Sequence, residues 1–197
     1  MTADRLERQI EFVIEIDKLK NVFRQTLLID KTRRENSAEH SWHIAVLAIL
    51  FSEYARESDI DILRVIKMAL IHDLVEIDAG DTYCYDEKGA MDQSDREERG
   101  AKRIFGILPH DQAEEFLALW REFEEGKTAE ASFAAALDRV QPLINNYNTG
   151  GEMWREHGIK SDQVVRRNSA VNKGAPVLWE YTSQLIDDAV RRGILEE

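Results

Sequence analysis

The stretch Ile71–Asp81, IHDLVEIDAGD, places His72, Asp73 and Glu76 where a helix should be burying itself. The residues before it, from Ile62 on, form an apolar run of the kind that packs into a core. At about 100° per residue, Asp73 stands ~100° and Glu76 ~40° from His72, so all three share one helix face. Ala69 and Val65 continue that face toward the interior. Burying three unpaired ionisable groups is costly, and a divalent cation compensates them well.

Two other positions complete a constellation. His40 comes before Ile44, Leu47 and Phe51 at helical spacings, at the N-terminal end of a second buried stripe. Asp138 lies inside a later helix, offset from its stripe of Phe133, Leu137, Val140, Ile144 and Tyr147. Its neighbours Ala134, Ala135 and Gln141 are small or polar and leave space beside it. His43, one turn past His40, reads as a residue behind the ligands or partly exposed, and not as a further ligand.

Helical periodicity dominates the chain: it contains only 3 prolines, and no segment alternates with period two. The expected fold is all-α, a single-domain helical bundle over 1–197 with one buried divalent metal site, a metal-site core at about 22–145 and a C-terminal helical extension at about 159–197. Helices are expected over Asp4–Phe23, from Asn36 or Ser37 to Arg56, and over Ser58–Ile77, Asp95–Phe105, Pro109–Glu124, Ala129–Tyr147 and Pro176–Arg192. Asp30–Asn36, Asp81–Ser94 and Thr149–Gly158 read as loops, and Ile159–Gly174 fits no single assignment. The acids Asp86, Glu87, Asp92 and Asp95 read as a solvated face.

Composition narrows the functional classes. With 38 acidic against 26 basic residues, the net charge of -12 repels polyanions, so extended nucleic acid is disfavoured. A small phosphorylated ligand is not, because one local cation outweighs a diffuse field at contact distance. The single cysteine, Cys84, permits no internal disulfide and has no histidine at a spacing that marks a nucleophile. The longest apolar stretch, Ile44–Phe51, falls short of the ~20 residues a membrane helix needs. The charged start Met1–Gln9 is unlike a signal peptide, and the expectation is a cytoplasmic protein with no membrane partner.

The ordered set His40, His72-Asp73 and Asp138 resembles the H...HD...D signature of the HD-domain metal-dependent phosphohydrolases. Its flanks, ENSAEHSWHIAVLA, ALIHDLVEIDAGD and ALDRVQP, are similar to the motifs of the bacterial 5'-deoxynucleotidases and their eukaryotic HD-domain relatives, over roughly Val22–Asn145. The resemblance implies one divalent metal held by His40, His72, Asp73 and Asp138. It also implies that Glu76 and Asp81 handle protons and phosphate, and that an arginine ahead of the first histidine contacts the phosphate. Arg24 matches that arginine best, with Arg33 or Arg34 as alternatives. Relatives in this family are commonly homodimers. One departure stands out: Gln25 and Thr26 follow Arg24, where the bacterial enzymes carry a bulky pair that helps exclude a ribose 2'-hydroxyl.

A mixed nitrogen and oxygen donor set with open positions fits Mn, Co, Fe or Mg, with Zn as the further option. The expected activity is removal of phosphate from a nucleoside 5'-monophosphate or similar small phosphomonoester by a metal-activated water. The alternatives are an HD hydrolase of another phosphate substrate and a non-catalytic regulator that binds metal or nucleotide.

Overall fold

A computed structural model describes residues 3–86 and 88–197, without the side chain of Ala3. Met1, Thr2 and Glu87, the last read above as part of a solvated acidic face, lie outside the described residues. The helices are α1 (Ala3–Ile16), α2 (Ser37–Leu50), α3 (Ile62–Ile71), α4 (Glu76–Ala79), α5 (Gln93–Phe105) and α6 (His110–Glu125). They continue with α7 (Ala129–Asn148), α8 (Glu152–Glu156), α9 (Ser161–Asn168), α10 (Val171–Gly174) and α11 (Pro176–Arg191). Among the described residues no helix is long and apolar enough to cross a membrane.

Two stretches expected to be loop or ambiguous are helical: Thr149–Gly158 contains α8, and Ile159–Gly174 contains α9 and α10. The first helix stops at Ile16 and gives way to a 3-10 turn, Asp17–Asn21. Its apolar stripe faces outward, with Leu6, Ile10, Val13 and Ile14 exposed and Phe12 buried instead.

The chain also forms a two-stranded antiparallel sheet, β1 (Phe23–Leu27) with β2 (Arg34–Asn36), where the sequence reading had the end of a helix and a loop. Each strand buries a single residue, Thr26 on β1 and Glu35 on β2, and both are polar. Hydrophobic alternation therefore could not mark them.

One large core joins α2, α3, α5, α6 and α7, with Ile44, Val65, Met68, Ile104, Phe133 and Leu137 fully enclosed. A smaller cluster, with Trp154, Val164 and Ile186 at its centre, seats the C-terminal helices against Leu143 of α7. Helix α7 thus serves both clusters and carries Asp138 between them.

Candidate metal centre

Local chain geometry fixes the start of α2 and so the position of His40. Asn36 accepts a hydrogen bond from the Glu39 amide at 2.9 Å, and the Glu39 carboxylate accepts one from the Asn36 amide at 3.1 Å. This reciprocal cap satisfies two donors of the first turn. His40 follows immediately, fully buried, and its Nδ1 lies 2.9 Å from Gln141 Oε1. Gln141 in turn donates through Nε2 to Glu35 Oε1 at 2.8 Å. The amide oxygen of Gln141 can only accept, so His40 Nδ1 carries a proton, and in the neutral ring Nε2 is the lone pair. That Nε2 lies 3.0 Å from Asp138 Oδ1.

The second histidine repeats the pattern on a different element. The helix expected over Ser58–Ile77 starts later, capped by Asp61, and changes pitch: α3 ends at Ile71, His72–Val75 is a 3-10 turn, and α4 resumes at Glu76. Tightening the helix here alters the angles between His72, Asp73 and Glu76 from those of a regular α-helix. His72 Nδ1 donates to the Ala69 carbonyl at 2.9 Å, so in the neutral ring its Nε2 is again a lone pair. This atom is buried and has no hydrogen-bond partner, although Asp73 Oδ1 is 2.9 Å away and Asp138 Oδ1 3.8 Å away.

Two glycines permit this geometry. Gly80 takes φ 74° and ends α4, turning the chain so that Asp81 faces the same cavity. Gly100 lets α5 press against the 3-10 turn: a Cβ there would stand 2.8 Å from the Val75 carbonyl oxygen.

One ligand atom each from His40, His72 and Asp73 lies within 4.8 Å of the others, and all three residues are buried. Asp138 falls outside that tight trio but meets His40 directly, which brings the expected four ligands to one place. Two imidazole lone pairs facing carboxylate oxygens repel unless a proton or a cation lies between them. Electrostatics shows the same need. Burial disfavours the His72 imidazolium, yet Asp73 and Asp138 outweigh it and hold that group well above its ordinary pKa. For Asp138, burial favours the neutral acid, but the histidine contacts prevail and keep its carboxyl well below the usual range. The cluster is thus built to hold positive charge, and a divalent ion fits its two nitrogens and two oxygens.

The remaining candidates divide. Glu76 lines the cavity, and the Ser37 hydroxyl donates to its Oε2 at 2.6 Å. Burial first, and then the Asp73 charge, push its carboxyl well above the usual range. Asp81 is also raised, chiefly by burial, with Arg24 opposing. Arg24, on β1, donates to Asp73 Oδ2 at 2.9 Å and lies 3.7 Å from Asp81. Arg33 does not reach the site: it is exposed and bonds the capping residue Glu39 at 2.8 Å. Arg34, the other alternative, is held near Glu156 at 3.4 Å. His43 joins the Gln141 network, 3.3 Å from Nε2, and stays out of the ligand group. Burial lowers its pKa, helped by the neighbouring His40.

Sequence reading missed Glu35 and the bonding role of Gln141, which orient His40 from behind, and Ser37, which fixes Glu76. It also missed a cavity of about 430 Å³ that opens from the cluster. Its walls include Tyr83, Tyr85, Trp154, Arg139 and Arg167. Arg139 has its pKa lowered, first by burial and then by the charge of Arg167.

If the Glu35–Gln141–His40 relay holds the first histidine in its ligand tautomer, Gln141→Leu should weaken divalent-metal affinity by about 10–100-fold while the protein stays folded. Competition with a chromogenic chelator measures this, and unchanged affinity would remove the relay from the account.

Comparison with known proteins agrees with this geometry. The family model described as HD domain matches residues 16–179. A crystal structure of a predicted metal-dependent phosphohydrolase from Magnetospirillum magnetotacticum MS-1 is 52% identical, with a TM-score of 0.94, covering 98% of this chain and 97% of that one. The PH0347 protein of Pyrococcus horikoshii OT3 shares the fold at 21% identity and a TM-score of 0.65, over 92% of this chain and 98% of that one. Among curated proteins, the human 5'-deoxynucleotidase HDDC2 is 29% identical over 136 residues, which is 68% of this chain and 65% of the relative's length. The Dictyostelium discoideum protein of the same name is 29% identical over 119 residues, 57% of this chain and 62% of the relative. A buried His40, His72 and Asp73 cluster with Asp138 beside it, and a match along most of the sequence, lead to one conclusion: the chain belongs to the HD domain family.

Proposed function

We propose that the protein is a metal-dependent phosphomonoesterase acting on a nucleoside 5'-monophosphate or a similar small phosphate ester. The observation that carries this reading is the pairing of a cation-demanding cluster with a polar cavity that also holds Glu76, Asp81 and Arg24. The 5'-deoxynucleotidase name of the human relative supports the nucleotide part. His40, His72, Asp73 and Asp138 would hold the ion. When bound, a divalent ion supplies Lewis acidity toward phosphoryl oxygen and lowers the pKa of water.

The chain's own groups do the rest. Glu76, buried and fixed by the Ser37 hydroxyl, is placed to take a proton from the attacking water. Asp81, on the cavity wall beside Arg24, is placed to protonate the leaving oxygen. Arg24 offsets charge on the non-bridging oxygens. A non-catalytic regulator is the weaker reading, because binding alone has no use for two further carboxylates beside the ligands.

The reading extends to assembly: we propose that two copies of the chain associate. Helix α2 is apolar on both sides, burying Ile44, Leu47 and Ala48 while exposing Trp42, Val46, Ile49 and Leu50. Together with exposed Leu63 and Leu70 on the neighbouring α3, they present on the order of 600 Å² of apolar surface, against roughly 800 Å² per partner in a stable interface. A twofold axis would let this face cover itself.

Metal-stripped protein reloaded with Mn, Co, Mg or Zn should release phosphate from nucleoside 5'-monophosphates with at least one metal, and no release with any would defeat the reading. Asp73→Ala should lose both bound metal and turnover, whereas Glu76→Gln should keep metal and lose about 10²–10⁴-fold in kcat. For assembly, light scattering should give twice the chain mass for the wild type and the single-chain mass for Trp42→Glu with Ile49→Glu. A monomeric wild type would refute the association.

A further inference from the structure

Arginine is scarce relative to acid in this chain, with 26 basic residues in all against 38 carboxylates, and most arginines on the fold have found a partner. Arg24 is committed to Asp73, Arg33 to Glu39, Arg64 to Glu122 and Arg103 to Asp78. Two arginines on the cavity wall are different. Arg139 is half-buried on α7, anchored through Nη1 to the Ala135 carbonyl at 2.6 Å, and its buried Nε has no partner. Arg167, half-buried on α9, makes no side-chain hydrogen bond or ion pair among the described residues.

Their placement is informative. Arg139 follows Asp138 directly, so the two side chains leave α7 about 100° apart and face different parts of the same cavity. Asp138 belongs to the ligand cluster, and Arg139 lies on the wall toward α9. The Tyr83–Tyr85 segment borders the space between them. Two guanidinium groups placed near one another in a partly desolvated space, where the nearby carboxylates Asp138 and Glu124 form an ion pair with neither among the described residues, cost energy that an incoming oxyanion returns. Guanidinium is also the side chain best shaped for phosphate, through paired planar N–H donors.

We propose that Arg139 and Arg167 form an oxyanion-binding wall of the cavity, separate from the metal ligands, that grips a phosphate group of the substrate. The proposal rests on the phosphomonoesterase reading for the identity of that substrate, though not for the existence of the anion site. The phosphate gripped is either the one that is hydrolysed or a second one on the same molecule. A cavity of about 430 Å³ has room for a nucleoside carrying two phosphates.

Steady-state kinetics of metal-loaded wild type, Arg167→Ala and Arg167→Lys with a nucleoside 5'-monophosphate and the matching 3',5'-bisphosphate tests this. Arg167→Ala should raise KM about tenfold or more with kcat little changed, and Arg167→Lys should recover part of the loss. A rise for both substrates assigns the wall to the scissile phosphate, and a rise confined to the bisphosphate assigns it to a second one. Unchanged KM for both overturns the proposal.

Calorimetric titration of inorganic phosphate into metal-stripped protein gives an answer independent of turnover. Wild type should bind, Arg167→Ala should bind about tenfold more weakly or worse, and Arg166→Ala, at an exposed arginine paired with Asp162, should match wild type. Equal binding by wild type and Arg167→Ala, or none by wild type, overturns the anion wall. Phosphate binding of the expected pattern without hydrolysis of any ester would instead retain the wall and discard the phosphomonoesterase.

Discussion

Everything about this site depends on two imidazole lone pairs held face to face with carboxylate oxygens. His40 and His72 each donate through Nδ1 to an acceptor that cannot donate back, the Gln141 amide oxygen and the Ala69 carbonyl. In the neutral rings their Nε2 atoms present electron density toward Asp138 and Asp73 at 3.0 and 2.9 Å. Such an arrangement is repulsive by itself in a buried setting, where charge is poorly screened. Positive charge relieves it, and the ligand chemistry of two nitrogens and two oxygens makes a divalent ion the natural occupant.

The fold spends its local irregularities on this cluster. A reciprocal cap starts α2 three residues before His40, and a 3-10 turn interrupts the α3–α4 run at His72 and Asp73. The small sheet brings Arg24 to the cavity from one strand and buries Glu35 behind His40 from the other. Helix α7 supplies Asp138 and Gln141 one turn apart, so one candidate ligand and the group that orients another, His40, are held on one rigid unit. Arg139 sits between them in sequence, but faces elsewhere in the cavity.

Much of this was legible in the sequence, for physical reasons. The candidate ligands follow apolar stripes that are regular in the sequence, so His40, His72-Asp73 and Asp138 could be placed by phase before any fold was known. Their identity as a set came from a family resemblance, which also supplied Asp81 and the role of Glu76. What could not be read depended on contacts distant in sequence. Glu35 looked like a loop residue because its strand has no hydrophobic alternation, and its burial is set by Gln141, more than a hundred positions away. The 3-10 turn was hidden because HDLVE continues an α-helical pattern without a proline or glycine to mark the change. Arg33 stood as an alternative to Arg24, and in the fold it bonds Glu39, the residue that completes the α2 cap. On α1 the spacing was helical, but periodicity alone does not say which face turns inward.

The central claim is that the opposed lone pairs are metal ligands and not a proton-filled polar network. A crystal structure of the cobalt- or manganese-loaded protein, with anomalous scattering recorded at the metal edge, tests it most directly. The account predicts one strong anomalous peak per chain, bonded to Nε2 of both His40 and His72 and to carboxylate oxygens of Asp73 and Asp138. A peak bound elsewhere, or no peak with both imidazoles hydrogen-bonded to the carboxylates, would contradict it.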